Sequence, residues 1–592
     1  MRRIQYIHII QLAIISSIPF VTFGQAFVSA EVLEDLRIDN RAEVLLILDD
    51  QLQFESQQIA GDKAAKGSIV FNRLKEHADR TQKPVRQILD SLNVVYQSLY
   101  IVNAIFLQLD KQVLNQVADL AAVREVISNS SFRIQEIEYP DKQPGRSADQ
   151  LPWGLELIGV PEVWEMGYAG QGAVIGGQDT GVEWDHPALI DAYRGWNGNT
   201  VDHNYNWHDA IREISLLHND SMIDPSNNPC GLDLSAPCDD AGSSHGTHTM
   251  GIMVGRDTAQ GFQVGVAPGS QWVAVRNMER CFGSPSTYLE SFEWFLAPTD
   301  LDGLNPDPGL APHVINNSWA CPELEGCNSD NFEILEQAID NLKAAGIMVV
   351  ASAGNGGAAG CRTVNAPPAI FEGTFSVGSV DANDSISNFS SRGPVAVDFS
   401  FRLKPNVSAP GRGVFSSVKG GAYGFLTGTS MAGPHVAGLV ALMISANPSL
   451  AGQVDVIEDI IERTAISKFE LDTCIDISRR GEIPNALHGY GRIDALAAVR
   501  AALELTPVSD QNRHDELNVF PNPVHSIVYF QFDDKSVEKS RLRVFNTVGQ
   551  MILEQIFYSS EIEVRLDQLS AGLYFYEVSR EQIFSSGLLL KK

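Results

Sequence analysis

A single serine lies among small residues directly before a helix, and this arrangement constrains the chain more than any other local pattern. Residues 428–435 read Gly-Thr-Ser-Met-Ala-Gly-Pro-His. The next residues place apolar side chains on one face of a buried helix, at Val436, Leu439, Val440, Met443 and Ile444. Ser430 should therefore stand near the helix N-terminus, where free N–H groups and the helix dipole stabilise negative charge. The pattern predicts that Ser430 is a nucleophile, with a helix N-cap as the alternative. It also predicts that Pro434 lies in the first turn of the helix, where no backbone donor is missed.

A serine nucleophile needs a base and a group that orients the base, and two upstream segments offer them. The apolar run 173–178 predicts a buried strand with Asp179 at its carboxyl end, the edge where open parallel sheets build their sites. His245 lies in Ser-His-Gly-Thr-His and opens a segment of small and apolar residues that reaches Val254. Taken singly, Asp179 could be a turn residue and His245 a helix cap.

The order Asp179, His245, Ser430 is the one found in subtilisin, and the flanking residues extend the match. Asp-Thr-Gly, His-Gly-Thr-His and Gly-Thr-Ser-Met-Ala-Gly-Pro-His resemble the three motifs of the subtilisin-like serine peptidases, and the likeness runs from Trp153 to Val499. Within that family, residues 179–189, 265–269 and 295–298 are most similar to the bacillopeptidase F group. The resemblance implies a secreted endopeptidase that acts on proteins or peptides and needs no cofactor for its chemistry.

The resemblance also implies a role for each candidate residue. Asp179, His245 and Ser430 would be catalytic, Asn355 would bind the oxyanion, and the backbone of Ser318, Trp319 and Ala320 would pair with an extended substrate. The Gly-Asn-Gly around Asn355 is also a good turn. Ala320 departs from the family pattern, in which glycine is common, and a Cys-Pro-Glu-Leu-Glu-Gly-Cys run follows it, so the preferred substrate side chain stays open.

Other chemistries have weaker support in the sequence. His248 is three residues after His245, but no further metal-ligand signature accompanies the pair, so we predict no catalytic metal. His435 is expected to be a packed helix residue, and no cysteine lies in a Cys/His motif. The Asp- and Asn-rich insertion from Asn197 to Asp240 could supply oxygen ligands for structural calcium. A non-catalytic binding protein would be expected to lack a member of the triad, and none is lacking.

The predicted fold is a doubly wound α/β peptidase domain between two smaller domains. Its parallel sheet is expected to contain Ala173–Gln178, Trp272–Met278, Val314–Ser318 and Ile347–Ser352. The pattern of residues 31–148 predicts a small α+β region. This region resembles the inhibitor-type propeptide of the family, which assists folding and blocks the cleft until the propeptide is cut off. The peptidase domain is predicted at 149–505 and a polar linker at 506–515.

The sequence predicts an export signal at each end of the chain. Arg2 and Arg3 precede a short apolar stretch, which predicts a secretory signal peptide over residues 1–30, cut after Gly24 or Ala30. Residues 516–592 alternate like the strands of a β-sandwich and resemble the C-terminal sorting domain of the type IX secretion system. A carbohydrate- or protein-binding module is the alternative there. The resemblance implies a secreted or cell-surface protein that passes the periplasm of a Gram-negative bacterium and has the secretion machinery as a partner.

Charge and cysteine content agree with export. The formal net charge is −30 and no basic run is present, which argues against a nucleic-acid partner. No segment after the signal is long and apolar enough to suggest an integral membrane protein. All seven cysteines lie in the peptidase region, where an oxidising compartment would let some of them pair, and Cys230 with Cys238 is the easiest local pair.

Overall fold

The computed structural model describes residues 26–54, 59–129, 151–215, 217–218, 228–469, 474, 482–505, 517–521, 524–532, 539–546, 551–570, 572–580 and 583–592. The chain divides into two compact units, of which the first ends at Glu504 and the second begins at Leu505. The predicted linker at 506–515, the expected maturation stretch at 140–149 and most of the predicted signal peptide lie outside the described residues.

A parallel sheet of seven strands forms the centre of the first unit. In spatial order its strands are Val407–Pro410, Phe375–Val380, Met348–Ser352, Val314–Asn317, Val174–Asp179, Gln271–Arg276 and Trp207–Asp209. Every neighbouring pair is parallel, and nearly every residue of these strands is buried. A parallel sheet needs cover on both faces, which explains why its strands read as continuous apolar runs rather than alternating ones. The four predicted strands are confirmed, and three more complete the sheet.

Helices cover both faces of this sheet. Two successive glycines of the strand Val174–Asp179 identify the two layers, since a Cβ on Gly176 would meet Phe295 and one on Gly177 would meet Met250. The helices are Trp153–Leu157, Val160–Glu165, His245–Val254, Pro285–Leu296, Phe332–Ala344, Thr429–Ala446, Val454–Thr464 and Ala495–Glu504. Two small antiparallel pairs complete the domain, Val414–Val418 with Ala422–Leu426 and Arg256–Asp257 with Phe262–Gln263. The architecture is the doubly wound α/β fold that the sequence predicts.

The N-terminal region is a small α+β unit, as predicted, and it packs on the peptidase region. Its sheet has the order Phe27–Val28, Val123–Ser128, Ala42–Leu48, Ala104–Leu109 and Tyr96–Leu99. Its helices are Ala30–Ile38, Lys63–Thr81, Lys83–Ser91 and Lys111–Ala118. One face of the sheet shares a hydrophobic cluster with the helix Lys63–Thr81 and with the peptidase helices Pro285–Leu296 and Phe332–Ala344. The other face packs on the region's remaining helices, Ala30–Ile38, Lys83–Ser91 and Lys111–Ala118.

The second unit is a β-sandwich. One sheet contains Leu517–Phe520, Ile527–Phe532 and Glu561–Arg565, and the other contains Met551–Phe557, Ser540–Phe545, Gly572–Arg580 and Ile583–Lys591. Side chains of both sheets meet in one hydrophobic cluster that includes Phe530, Val564, Val544 and Leu589. The pairings between these seven strands are antiparallel, which agrees with the alternating pattern of the sequence.

One helix of the described chain, Thr429–Ala446, is long and apolar enough to cross a membrane by length and composition alone. Most of it is buried inside the peptidase domain, where it contacts five strands of the central sheet. Its apolarity therefore reflects burial on all sides, as for the core helix of a large α/β domain.

Candidate active site

Asp179 and His245 lie together at the carboxyl edge of the central sheet. Asp179 is the last residue of its strand, and His245 is the first residue of the helix His245–Val254. The Nδ1 of His245 lies 2.7 Å from Asp179 Oδ1, which also accepts the Thr180 N–H at 2.8 Å. Burial opposes the charged imidazole, but the Asp179 carboxylate outweighs it, so the pKa of His245 is raised above its usual value.

A close backbone approach fixes the relative position of this pair. A Cβ on residue 246 would lie 2.0 Å from the Gly181 carbonyl oxygen, so only glycine fits after His245. The Gly246 N–H donates to Thr180 Oγ1 at 3.1 Å, and that hydroxyl donates to the buried Asp239 carboxylate at 2.9 Å. These contacts explain why the Asp-Thr-Gly and His-Gly-Thr-His motifs occur together.

Ser430 lies in the first turn of the helix Thr429–Ala446, as predicted. Its Oγ donates to the Ser318 carbonyl at 3.0 Å, and the Ser318 Oγ donates in return to the Ser430 carbonyl at 2.7 Å. Among the described residues, no hydrogen bond joins Ser430 to His245. The Ser430 hydroxyl is bonded instead to the backbone of the segment that follows the strand Val314–Asn317.

The prediction for Pro434 is wrong. The helix begins at Thr429, so Pro434 lies inside it rather than in its first turn. A proline has no N–H to donate to the carbonyl four residues earlier, which here belongs to Ser430. The Ser318 hydroxyl supplies the missing donor, and this bond ties the segment after strand Val314–Asn317 to the start of the helix.

Asn355 follows the strand Met348–Ser352 and faces the same cleft. Its Oδ1 accepts hydrogen bonds from the Thr429 N–H at 2.9 Å and the Thr429 Oγ1 at 3.0 Å. Because the oxygen side of the amide is occupied by two donors, the amide nitrogen is the group left to donate to an incoming oxygen. Sequence reasoning missed Thr429 as the residue that orients this amide.

The cleft has a volume of about 530 Å³ and brings the predicted residues to one surface. His245, Ser430 and Asn355 line it together with Ser318, Trp319 and Ala320. The side chains of Ser318 and Trp319 are buried, so this segment faces the cleft mainly with its backbone and with Ala320. Further apolar lining comes from Met278, Phe282, Pro322, Leu324, Ala353 and Ala369.

The neighbouring histidines have structural surroundings. The His248 Nε2 lies 3.1 Å from the Val414 carbonyl oxygen, and the His435 Nδ1 lies 2.8 Å from the Met431 carbonyl oxygen. Burial lowers the pKa of His248 to about 3 and that of His435 to about 4, so both rings are neutral near pH 7. Each ring therefore donates one hydrogen bond to a backbone oxygen inside the domain.

Acidic residues of the predicted calcium-binding insertion have other partners. The guanidinium of the fully buried Arg276 pairs with Asp209 at 2.7 Å and with Asp240 at 3.0 Å. Within the described residues, no group of three His, Cys, Asp or Glu side chains could hold a metal ion, and part of the insertion lies outside that range. The calcium site therefore stays a prediction.

Three disulfides join six of the seven cysteines. Cys230 pairs with Cys238, as predicted, and the other bonds are Cys321–Cys327 and Cys361–Cys474. The sequence offered no signal for the last pair, whose members are 113 residues apart. It also gave no indication that Asp239 accepts hydrogen bonds from the Thr180 and Thr247 hydroxyls. Nor did it indicate that the Thr249 Oγ1 donates to Asp179 Oδ2 at 3.3 Å.

Comparison with known proteins agrees with this geometry. Residues 170–492 match the model of the subtilase family. Bacillopeptidase F of Bacillus subtilis (strain 168) is 35% identical over 460 residues, which cover 74% of this chain and 29% of that protein. Subtilisin DY of Bacillus licheniformis is 30% identical over 305 residues, which cover 51% of this chain and 88% of that protein. The chain thus spans less than a third of the length of Bacillopeptidase F, but the aligned part spans most of a subtilisin.

The second unit has a match of its own. Residues 518–591 match the secretion system C-terminal sorting domain, which indicates a secreted or cell-surface protein that passes the type IX secretion system.

The family model over residues 170–492 covers more than half of the chain and all four residues that the sequence singled out for catalysis. The chain therefore belongs to the subtilase family of serine endopeptidases.

Proposed function

We propose that this protein is a secreted endopeptidase that hydrolyses peptide bonds through an acyl-enzyme on Ser430. His245 removes the proton from the Ser430 hydroxyl as the oxygen attacks the peptide carbonyl, and then gives that proton to the leaving amine. Asp179 orients His245 and stabilises its charged form. A water molecule, activated by His245 in the same way, then hydrolyses the ester and frees Ser430.

The bond between His245 and Asp179 is the observation that carries the proposal. It fixes the tautomer in which Nδ1 carries the proton toward Asp179 and Nε2 is free to accept one. The raised pKa of His245 agrees with a base that must hold the serine proton during the reaction. A histidine with no carboxylate partner at this depth would instead have a lowered pKa, as His248 and His435 do.

Asn355 is proposed to stabilise the tetrahedral oxyanion together with the Ser430 N–H. The two donors of Thr429 hold the Asn355 oxygen, which leaves its N–H groups for the substrate. A neutral donor that is already oriented stabilises charge appearing only in the transition state, at no cost of reorganisation during the reaction. Because Ser430 lies in the first turn of its helix, the partial positive charge of the helix N-terminus would also stabilise the oxyanion.

Substrate is proposed to bind as an extended strand beside Ser318, Trp319 and Ala320. Two of these side chains point into the protein, so the peptide groups of the segment are the polar groups that can pair with a substrate backbone. Such pairing is compatible with many substrate sequences, because its hydrogen bonds are made with the substrate main chain. The apolar lining of the cleft favours hydrophobic substrate side chains there.

The N-terminal region, residues 31–148, is proposed to act as an inhibitor-type propeptide of the peptidase domain at 149–505. Its sheet buries one face against the helices Pro285–Leu296 and Phe332–Ala344, and its last described residue, Asn129, accepts the Ser286 N–H at 2.9 Å. The twenty-one residues from Ser130 to Gln150 then lead to the peptidase domain. Cutting within that segment would interrupt no described strand or helix of either part.

The proposed route of export begins with a signal peptide and ends with the sorting domain at 516–592. Phe27–Val28 already pairs with Val123–Ser128, and the next helix begins at Ala30. Cleavage after Gly24 therefore fits the fold better than cleavage after Ala30. Passage through the periplasm of a Gram-negative cell would follow, with the type IX machinery as the partner of the last unit.

Replacement of the nucleophile tests the proposed function. We expect Ser430→Ala to bind no fluorophosphonate and to show no peptide hydrolysis, because it removes the attacking oxygen and only a hydroxyl's volume. Its thermal unfolding should stay close to that of the parent chain, which serves as the control for folding. Turnover that survives in this variant would rule out the serine mechanism.

A further inference from the structure

A small disulfide-closed loop directly follows the segment proposed to bind substrate. Cys321 and Cys327 close it, both are buried, and Glu323–Glu325 forms a short 3-10 turn inside it. Gly326 has a φ of +90°, a left-handed conformation that lets the chain turn back to the second cysteine. The Cys321 N–H donates to the Pro367 carbonyl at 2.8 Å, which anchors the start of the loop.

The loop sends one acidic side chain inward. Glu325 is only 5% exposed, and its carboxyl group accepts a hydrogen bond from the hydroxyl of Tyr288. Tyr288 belongs to the helix Pro285–Leu296 and is fully buried. Burial raises the pKa of Glu325 to about 8, so the group is mostly uncharged near pH 7 and avoids the cost of an unpaired buried charge.

The ring of Tyr288 in turn lies flat on Trp319. The two ring centroids are 3.8 Å apart and the planes differ by 5°. Trp319 is the middle residue of the segment from Ser318 to Ala320, and Ser318 is bonded to Ser430 in both directions. A chain of direct contacts therefore leads from Glu325 through Tyr288 and Trp319 to the wall of the cleft.

We propose that Glu325 and the Cys321–Cys327 disulfide position the substrate-binding segment, with Tyr288 and Trp319 as the intermediate contacts. This inference rests on the proposed function and adds to it the residues that set the shape of the binding strand. Glu325 also lines the cleft, but its hydrogen bond reaches the segment through Tyr288 and Trp319, and in that role it is a positioning residue. The disulfide keeps the loop short, so that the Glu325 carboxyl group stays opposite the Tyr288 hydroxyl.

The proposal predicts a specific kinetic effect. Pairing with the substrate backbone is present in the bound complex and in the transition state alike, so a displaced segment should raise KM and leave kcat nearly unchanged. Attack on a fluorophosphonate needs no extended strand. Its rate of reaction with Ser430 should therefore report the catalytic residues separately from the segment.

The test compares Glu325→Leu with Glu325→Gln, each expressed as the full chain and measured after maturation. Leucine leaves the buried Tyr288 hydroxyl without an acceptor, and we expect KM for an extended peptide to rise roughly tenfold, with kcat and the labelling rate within about twofold. Glutamine keeps an acceptor oxygen and should restore the parent KM. Tyr288→Phe removes the same hydrogen bond from the other side and should raise KM without adding to the effect of Glu325→Leu.

The disulfide is tested with a matched pair of variants. Cys321→Ala with Cys327→Ala should raise KM for the extended peptide, because the loop is no longer held closed. Cys230→Ala with Cys238→Ala removes a disulfide of similar span whose loop, unlike that of Cys321–Cys327, contributes no residue to the cleft lining, and should leave KM unchanged. Cys238 precedes Asp239, so any kinetic effect of that control should appear in kcat.

Two results would overturn the proposal. The first is an unchanged KM in both Glu325→Leu and Tyr288→Phe, which would make the contact chain purely structural. The second is a Glu325→Gln variant that alters the preference for charged substrate side chains, which would make Glu325 a direct substrate contact. Failure of the proposed function is distinguishable from both, because it would abolish fluorophosphonate labelling of the parent protein.

Discussion

The two ends of the chain are both small units with β-sheets, but they obtain their hydrophobic cores differently. Residues 26–129 divide their buried side chains between a cluster of their own and a cluster shared with the peptidase helices. The described core of the C-terminal unit draws only on residues 519–589. The N-terminal region is therefore stabilised by the peptidase domain that it contacts, whereas the C-terminal unit has a hydrophobic core of its own.

Polar contacts strengthen the difference. Lys63 of the N-terminal region is buried and donates to the Ala311 carbonyl at 2.5 Å, and burial lowers its pKa to about 8. Glu293 accepts the backbone N–H groups of Tyr100 and Ile101 at 2.5 Å and 2.9 Å. Such groups are costly to bury without these partners, so the interface is specific as well as apolar.

Removal of the N-terminal region from the gene should have the largest effect. A chain made without residues 26–129 exposes the apolar faces of two helices while it folds, and we expect most of it to be inactive or aggregated. The measurement is the fraction of refolded protein that reacts with a fluorophosphonate. The control is the same mature protein obtained by cutting the folded chain after Asn129, which should keep its activity. Equal active fractions in the two preparations would show that the region plays no part in folding.

Loss of the Glu293 carboxylate should have an intermediate effect. In the inactive Ser430→Ala chain, Glu293→Ala leaves two interface N–H groups without their acceptor, which costs roughly 1–3 kcal/mol. Thermal unfolding should report this as a lower Tm. Glu333→Ala is the matched control, because Glu333 also bridges the interface, to Arg124 at 3.4 Å, but it is largely exposed and should change stability by less than about 1 kcal/mol. A reversed order of the two effects would refute the importance of Glu293.

Sequence patterns identified the proposed catalytic residues more readily than the residues that contact them. Asp179, His245, Ser430 and Asn355 lie in short motifs whose small residues allow close backbone approaches, as at Gly246, so the local sequence carries the signal. Asp239 and Glu325 act through contacts with residues far along the chain, and such contacts leave no local pattern. Their roles appear only when the fold brings the partners together.

Secondary structure shows the same limit. The strand Met348–Ser352 reads as a buried apolar run and was predictable, whereas Phe375–Val380 contains serine and glycine and gave no clear pattern. Its polar side chains are buried because neighbouring elements supply hydrogen bonds, such as the one between Ser379 Oγ and Ser387 Oγ at 2.8 Å. Pro434 was misplaced for a related reason, since the tertiary contact with Ser318 makes a proline inside that helix tolerable.

The stability of the N-terminal interface should depend on pH. Burial raises the pKa of Glu293 to about 8, against the lowering effect of the hydrogen bonds from the Ile101 and Tyr100 N–H groups; Glu290 and Lys75 have smaller, opposite effects. A carboxyl group with a raised pKa holds its proton more tightly in the folded chain than in the unfolded chain. Its contribution is therefore full below about pH 4.5 and is lost as the pH rises toward 8, by up to about 1.4 kcal/mol per pH unit.

The measurement is the Tm of the Ser430→Ala chain between pH 5 and pH 8, compared with the same chain carrying Glu293→Gln. The glutamine variant cannot titrate, so its Tm should fall less over this range. Glu43, whose pKa is raised to about 7 by burial and by Glu213, adds to the slope in both chains and cancels in the comparison. Parallel pH profiles would mean that Glu293 does not titrate in this window.

Removal of the C-terminal unit should have the smallest effect on catalysis. Deletion of residues 516–592 leaves intact every residue that lines the cleft, and it divides no hydrophobic cluster of the described chain. We therefore expect kcat/KM on a soluble peptide to stay within about twofold of the full chain, since separate domains keep separate cores. Export should fail, because the sorting domain is absent while the signal peptide remains, and the truncated protein should accumulate in the periplasm. Truncated protein in the medium would reject the sorting role, and a large loss of hydrolysis would show that the C-terminal unit supports the catalytic domain after all.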